Sequence, residues 1–456
     1  MIDFDKFSKY SKAGPRYTSY PTAVEFHEGF GESQFVSNVT ASNSSNRPIS
    51  LYFHLPFCRS ACYFCGCNVL YTSKDEKKDR YIDYLEKELE ILAKSLDCNR
   101  KVTQLHFGGG TPTFFDATQL ERVIKLIRSR FPNFEPTAEI SCEIDPRYFN
   151  EDQIKVMIAG GFNRISFGVQ DFNEKVQAAV HRLQSYEETK AAVDLARKYG
   201  ISSINIDLIF GLPYQSLSSF KTTLEKTISL DPDRFAVFNY AHVPWMKKTM
   251  RKLDETTLPP ASEKLKIMKY TMDYMRDNGY KSVGMDHFAK PTDELFKAIQ
   301  SGELHRNFQG YTTKGGSDLV GVGVTSISEL EGCYSQNFKD IESYEEAIDA
   351  GKLPVHRGVE LTAEDKLRKS VIMELMSNFS LDIKRVEKSF GIDFKEHFAR
   401  SLEMLKEYVD AEVLTVTDNK IQANATGELL IRNISMVFDE YFDHSSDNKN
   451  KFSKTI

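Results

Sequence analysis

The chain has 456 residues, 41% hydrophobic and 27% charged, with a formal net charge of −6. That composition is ordinary for a water-facing globular protein with material for a large core, and the acidic excess argues against bulk affinity for nucleic acid. No run approaches the ~18 apolar residues of a membrane span, and the start, MIDFDKFSKY, has acidic residues and no apolar signal segment, so a cytoplasmic protein of about two to four domains is expected.

Residues 1–48 show no strand–helix rhythm and are expected to form an N-terminal arm that covers the site. Their polar stretch TASNSSN (40–46) predicts a loop before the first strand. From residue 49 a rhythm sets in. Strands are predicted at 50–56, 103–107, 138–144, 163–169, 203–210 and 234–241. Helices are predicted between them at 78–96, 117–130, 150–159, 186–199 and 216–229. In the first helix Tyr81, Leu85, Leu89, Leu92 and Leu96 share one face at three- and four-residue steps. Strands alternating with helices imply parallel βαβ units. Six in a row predict a partial (β/α)6 barrel, with a doubly wound open sheet as the alternative.

After about residue 242 the rhythm changes. A helix near 261–277 precedes KSVGMDHF, a candidate further strand. LHRNFQGYTT (304–313) reads as a functional loop, and DLVGVGVTSIS (318–328) as a return to the sheet. The catalytic unit is placed at 49–360. Residues 361–456 read as a smaller, mainly helical domain with one hairpin, VLTVT and KIQAN about a turn at Asp418-Asn419. This tail holds 14 Lys/Arg against 17 Asp/Glu, which argues against DNA binding.

The unusual residues fall at the carboxyl ends of the predicted strands, where a (β/α) barrel builds its active site. Cys58, Cys62, Cys65 and Cys67 follow the first strand, in HLPFCRSACYFCGCN. Cys-x3-Cys-x2-Cys suits three irons of a [4Fe–4S] cluster, leaving one iron open for a small molecule. A zinc site completed by His54 or His106 and unliganded thiols are the alternatives; a single knuckle is poor zinc spacing. Cys98, Cys142 and Cys333 stand alone and read as small buried residues. Gly108-Gly109-Gly110-Thr111-Pro112 follows the second strand and permits close backbone approach to a ligand. Glu143 and Asp207 can accept paired ribose hydroxyls or form buried salt bridges. Arg182 can pair with a ligand carboxylate or with a surface acid. Gly321-x-Gly323 is weak by itself.

Taken together, the chain resembles the radical S-adenosylmethionine (SAM) enzymes, and within them the oxygen-independent coproporphyrinogen III oxidases. The likeness rests on GPRYTSYPTA (14–23), the cysteine motif, HFGGGTPT (106–113), EIDPR (143–147), GVQDFN (168–173), NIDLIFGLP (205–213), FNYAH (238–242), MDHFA (285–289) and HRNFQGYTT (305–313). It implies a [4Fe–4S] cluster on Cys58, Cys62 and Cys65, with Cys67 off the ligand set. It implies one SAM at the cluster, contacted by Tyr52, Phe64, Gly109, Glu143 and Ile327. A second SAM site is implied at Gly110, Thr111, Gln170, Arg182, Asp207 and Ala241. The implied reaction converts two propionates of coproporphyrinogen III to vinyl groups, giving protoporphyrinogen IX in heme biosynthesis, through hydrogen abstraction by a 5′-deoxyadenosyl radical. The resemblance also implies a monomer; the electron donor and acceptor are unidentified. For a substrate with four carboxylates on an apolar ring, Arg16 (beside Tyr17 and Tyr20) and Arg306 (beside Phe308 and Tyr311) are candidate contacts, with loop packing as the alternative. Three other functions stay open: a heme-transfer relative that keeps the cluster, a radical methyltransferase, and a zinc-stabilised structural protein. The N-terminal GPRYTSYPT, the Cys-Gly-Cys ending and FQGYTT speak against the first.

Overall fold

The predicted alternation is present in the computed structural model, which describes residues 10–444 and 451–455. Six strands follow one another: β1 (Ile49–Leu55), β2 (Val102–Gly109), β3 (Phe134–Ile144), β4 (Arg164–Gln170), β5 (Ser203–Phe210) and β6 (Arg234–Asn239). Each pairs in parallel with the next. The crossovers carry Asp75–Leu92, Ala117–Arg130, Glu151–Ala159, Tyr186–Lys198 and Leu217–Ile228. Asp116, Asn150, Ser185 and Ser216 cap the last four, each accepting from a backbone N–H of the first turn. The result is a partial (β/α)6 barrel.

The strand pattern decides what faces inward. In β5, Ile204, Ile206, Leu208 and Phe210 are buried, while Asn205 and Asp207 alternate with them on the other face. The apolar face meets the helices; the polar face looks into the barrel. Beyond β1 the sheet continues with Asp318–Val322 in parallel, then Ile327–Glu329, Cys333–Asn337 and Val355–Glu360 antiparallel. Beyond β6 it continues with His287–Ala289 and Lys281–Val283. The sheet has 12 strands, and its two edge strands are not paired with each other.

Several expectations need correction. Thr40–Asn43 is not loop but the end of helix Glu32–Asn43, which buries Phe35, Val39 and Ser42 on one face. A polar composition hid that stripe. β3 starts at Phe134, four residues before the predicted 138. KSVGMDHF is two short antiparallel strands rather than one, reversed at Gly284 with φ +60°. LHRNFQGYTT contains a small hairpin, His305–Asn307 with Gly310–Thr312.

After residue 360, helices Ala363–Asn378, Ile383–Phe390 and Ala399–Asp410 pack around a three-stranded sheet. The predicted hairpin is there as Leu414–Val416 and Lys420–Ala423, joined by an unforeseen third strand, Ser380–Asp382. Its core, including Leu375, Leu405, Ile421 and Ile434, also takes in Tyr10, Tyr17 and Tyr20 from the chain's start. The barrel has a separate core under its sheet. Arg432 ties the two ends together: its guanidinium donates to the Gly14 and Pro15 carbonyls at 2.5 and 3.1 Å. Tyr17 O–H donates to Asp439 at 2.8 Å.

Candidate active site

A cavity of about 460 Å³ opens at the carboxyl ends of the barrel strands. Its first wall is the cysteine loop, which runs between two short paired strands, Phe57–Cys58 and Leu70–Tyr71. Cys58, Cys62, Cys65 and Cys67 all line the cavity, and all seven cysteines of the chain are free thiols. The loop is held from outside. His181 stacks on Tyr63 with centroids 5.0 Å apart and bonds the Ala61 carbonyl at 2.8 Å. Lys247 Nζ donates to the Cys67 carbonyl at 3.0 Å.

Cys58 Sγ lies 3.4 Å from Thr111 Oγ1, and its thiol is pushed up to about 12, mainly by burial. Cys65 is hydrogen-bonded to Cys67, which pulls Cys65 down to about 7 and pushes Cys67 well up. Among the described residues no three His, Cys, Asp or Glu side chains converge as metal ligands. The donor chemistry nonetheless fits a soft iron group: several thiols on one cavity wall, with the Arg182 Nη1 3.6 Å from Cys62 Sγ.

The second wall is the glycine turn. Gly110 N–H donates to the Leu55 carbonyl at 2.9 Å, and Thr111 N–H to Phe57 at 3.0 Å. A Cβ on Gly110 would stand 2.6 Å from the Pro56 carbonyl oxygen, so only glycine lets turn and loop meet this closely. Gly109 has φ +116°, open to glycine and strained for other residues.

Glu143, Gln170 and Asp207 rise from the ends of β3, β4 and β5 into the cavity. Burial works upward on Glu143, but His106, hydrogen-bonded through Nε2 at 3.4 Å, and the Gly109 N–H hold it below the usual carboxylate range. Asp207 is pushed up to about 6 by burial and by the charge of Glu143, against hydrogen bonds from Ser166 and Asn205 at 2.9 and 2.7 Å. Gln170 has φ +71° at a register shift between β4 and β5, and its Oε1 is buried without a partner. A non-glycine residue strained in this way at a cavity mouth is typical of a binding position.

Arg182 is no surface ion pair. Its side chain is 9% exposed and reaches Asp145 at 2.8 Å and the Gly168 carbonyl at 2.6 Å. Arg147 forks onto the same carboxylate at 2.7 and 3.0 Å. Burial would raise Asp145, but the two guanidiniums hold it below its ordinary value. Arg182 Nε has no partner in the protein. Asp145 and Arg147 lie in the EIDPR motif, yet their role as the clamp on Arg182 was not read from sequence.

Phe64, Ala241 and Arg16 also line the cavity; Arg16 donates to the Asn239 carbonyl at 2.7 Å. Three predicted residues do not. Tyr52 stands beneath the floor, stacked on His106 with centroids 5.9 Å apart. Its O–H donates to His54 Nδ1 at 3.0 Å, because His54 Nε2 is committed to the Asn68 carbonyl at 2.9 Å. Burial drives His54 down to about 4, so it is neutral and structural. Ile327 lies one strand further out than the neighbour of Tyr52: Tyr52 registers with Gly321, whose bare backbone admits the Ile327 carbonyl. Arg306 lies apart, its side chain buried over Tyr311 and 3.9 Å from Asp286.

The chain is similar to known proteins over nearly its whole length. A Radical SAM superfamily model matches residues 52–227, and a HemN C-terminal domain model matches residues 361–430. The chain is 54% identical to an oxygen-independent coproporphyrinogen III oxidase of Helicobacter pylori (strain ATCC 700392 / 26695), over 100% of this chain and 99% of that one. It is 45% identical to the Escherichia coli (strain K12) enzyme of that name, again over 100% and 99%. The solved structure of coproporphyrinogen III oxidase (HemN) from Escherichia coli, described as a radical SAM enzyme, superposes with a TM-score of 0.90 at 46% identity, covering 93% of this chain and 97% of that chain. The chain belongs to the oxygen-independent coproporphyrinogen III oxidases of the radical SAM superfamily.

Proposed function

We propose that this cavity carries out the anaerobic oxidative decarboxylation of two propionates of coproporphyrinogen III, giving protoporphyrinogen IX. The observation that carries the reading is convergence. The cysteine loop, the glycine turn and the polar ends of β3, β4 and β5 meet at one cavity, in a chain that matches named oxidases end to end. When bound, the [4Fe–4S] cluster and SAM supply one electron and a carbon-centred radical that takes hydrogen from an unreactive carbon.

The chain's own residues hold and shield. Cys58, Cys62 and Cys65 are the cluster ligands in this reading, and Cys67 is a neighbour outside the set. Gly109 and Glu143 receive the polar ends of the cluster-bound SAM. Tyr52 and Ile327 support that floor from below, and Phe64 covers it with an apolar ring that keeps water out. Gly110, Thr111, Gln170, Arg182, Asp207 and Ala241 form the second SAM site. The unpartnered Gln170 Oε1 and Arg182 Nε are what a polar ligand there would satisfy. Arg182, already positioned by Asp145, meets a carboxylate without further ordering cost. Arg16 on the rim is a substrate contact. Arg306 acts on substrate only through Asp286 and Tyr311 unless the hairpin 305–312 moves.

In this reading the described arm, residues 10–48, reaches the cavity through Arg16, residues 49–360 are the catalytic barrel, and the described part of 361–456 anchors the arm; residues 1–9 lie outside the described residues. The protein works as a cytoplasmic monomer, fed by an electron donor and relieved by an acceptor of its own. The test is anaerobic incubation of the cluster-loaded protein with SAM, a reductant and coproporphyrinogen III labelled in the propionate carboxyls. Labelled CO2 is expected, and its absence would refute the reading.

A further inference from the structure

Beside the main cavity lies a smaller one of about 80 Å³. Arg16 and Asn239 line both, so the two share a wall at the end of β6. Arg16 holds the Asn239 carbonyl at 2.7 Å, and on the other side Lys264 Nζ lies 3.4 Å from Asn239 Oδ1. Two cations therefore flank one asparagine.

Lys264 is badly placed for stability alone. It stands in the first turn of helix Ala261–Asp277, where the helix dipole favours anions. Burial and the nearby Lys454 both lower its pKa. Among the described residues no carboxylate lies within ion-pair distance of it; Glu263, its chain neighbour, pairs with Lys266 instead at 3.6 Å. The backbone makes room for it all the same. Gly211 has φ +90°, and a Cβ there would stand 2.9 Å from Lys264 Cδ and 3.3 Å from Asn239 Oδ1.

The other charged groups on this cavity are accounted for. Arg432 is spent on the Gly14 and Pro15 carbonyls. Asp286 is matched by His287 at 2.7 Å and Arg306 at 3.9 Å. Glu428 is pushed up to about 7 by burial, so it is a weak counter-ion. A half-buried ammonium without an anion, lining a small cavity that shares Arg16 with the main one, is the complement of a carboxylate arm. The volume excludes a macrocycle and admits one propionate.

We propose that Lys264, with Arg16 across Asn239, binds the carboxylate of a propionate that is not reacting, and so sets which porphyrinogens are oriented for turnover. This rests on the coproporphyrinogen reading above and adds a residue to it. The test uses the full-length, cluster-loaded protein and three stable porphyrins, coproporphyrin III with four carboxylates, mesoporphyrin IX with only the two that do not react, and coproporphyrin III tetramethyl ester with none. For Lys264→Met we expect coproporphyrin III to bind about tenfold more weakly, the loss of one charge-assisted contact, with mesoporphyrin IX, which keeps the two propionates that do not react, weakened as much and the uncharged tetramethyl ester little changed. KM for coproporphyrinogen III should rise in parallel while kcat changes less, and Lys264→Arg should restore most of the affinity. Lys264→Met should fold about as stably as the parent, since it removes a half-buried charge that has no counter-ion and only one long hydrogen bond. Gly211→Ala, which displaces the Lys264 stem, should move affinity the same way. Unchanged coproporphyrin III or mesoporphyrin IX binding in Lys264→Met, or an equal loss for the tetramethyl ester, would overturn the proposal. If the parent protein binds coproporphyrin III but releases no CO2, the functional reading fails and the Lys264 comparison still decides the carboxylate contact.

Discussion

At the residue scale, the cavity separates groups whose motif announced them from groups visible only in three dimensions. Cys58, Cys62 and Cys65 are legible because thiol spacing is itself chemistry. Their replacement by serine, one at a time, is expected to abolish iron and sulfide incorporation, whereas Cys67→Ser should retain both. Iron and sulfide analysis after anaerobic reconstitution checks this, and a Cys67→Ser protein without iron would make Cys67 a ligand. Asp207 offers a pH test. Its carboxyl is pushed up to about 6 by burial and Glu143, so the ionised acceptor is present above that pH and lost below it. SAM affinity should therefore fall as pH drops through about 6, and Asp207→Asn should flatten that limb at a lower affinity. An unchanged acid limb in Asp207→Asn would assign it to another group. The stability sign is opposite: a raised carboxyl in the fold contributes most below its unfolded value and is lost as pH rises through about 6. Asp145, Arg147 and His54 were not legible as positioning residues, since a buried clamp shows only when strands from distant sequence meet.

At the element scale, the six strands were legible because β-rich apolar runs between amphipathic helices permit few other arrangements. What escaped were elements whose burial is local. Helix Glu32–Asn43 hides in a polar stretch, strand Ser380–Asp382 carries only three residues, and the one strand expected over KSVGMDHF divides into two at Gly284. Helix Asp75–Leu92 carries a further surprise, the buried Glu88. It accepts from Gly323 N–H at 2.8 Å, Tyr344 O–H at 2.6 Å and Asn337 Nδ2 at 2.7 Å. It thereby ties the helix to the strands beyond β1. Burial pushes its carboxyl up to about 7 despite those bonds. The folded form thus holds a proton that the unfolded chain releases near its ordinary value, and stability should decline by up to about 3 kcal/mol as pH rises across that window. Denaturant titrations should show that decline in the parent and not in Glu88→Gln. Parallel pH profiles for the two proteins would contradict it.

At the scale of the whole molecule, the chain's start and end are one unit. Tyr10, Tyr17 and Tyr20 are buried in the C-terminal core, and Arg432 bonds the two arm residues just before the site-facing Arg16. The sequence separates these segments by over four hundred residues, so no local pattern could join them. Arg432→Ala strands buried carbonyls and is expected to cost about 3 kcal/mol or more. It should also raise proteolytic cleavage within the first twenty or so residues. An arm still protected in that variant would show that its tyrosines alone hold it. Among the described residues no helix is long and apolar enough to cross a membrane.

We propose that one cavity, served by three cysteine thiolates and two SAM sites, oxidises two propionates in turn. Counting products in a single anaerobic reaction tests it most directly. Protoporphyrinogen IX should appear with two CO2, two methionines and two 5′-deoxyadenosines, and no S-adenosylhomocysteine. Coproporphyrinogen III left intact, with no 5′-deoxyadenosine formed by iron-replete protein, would contradict it.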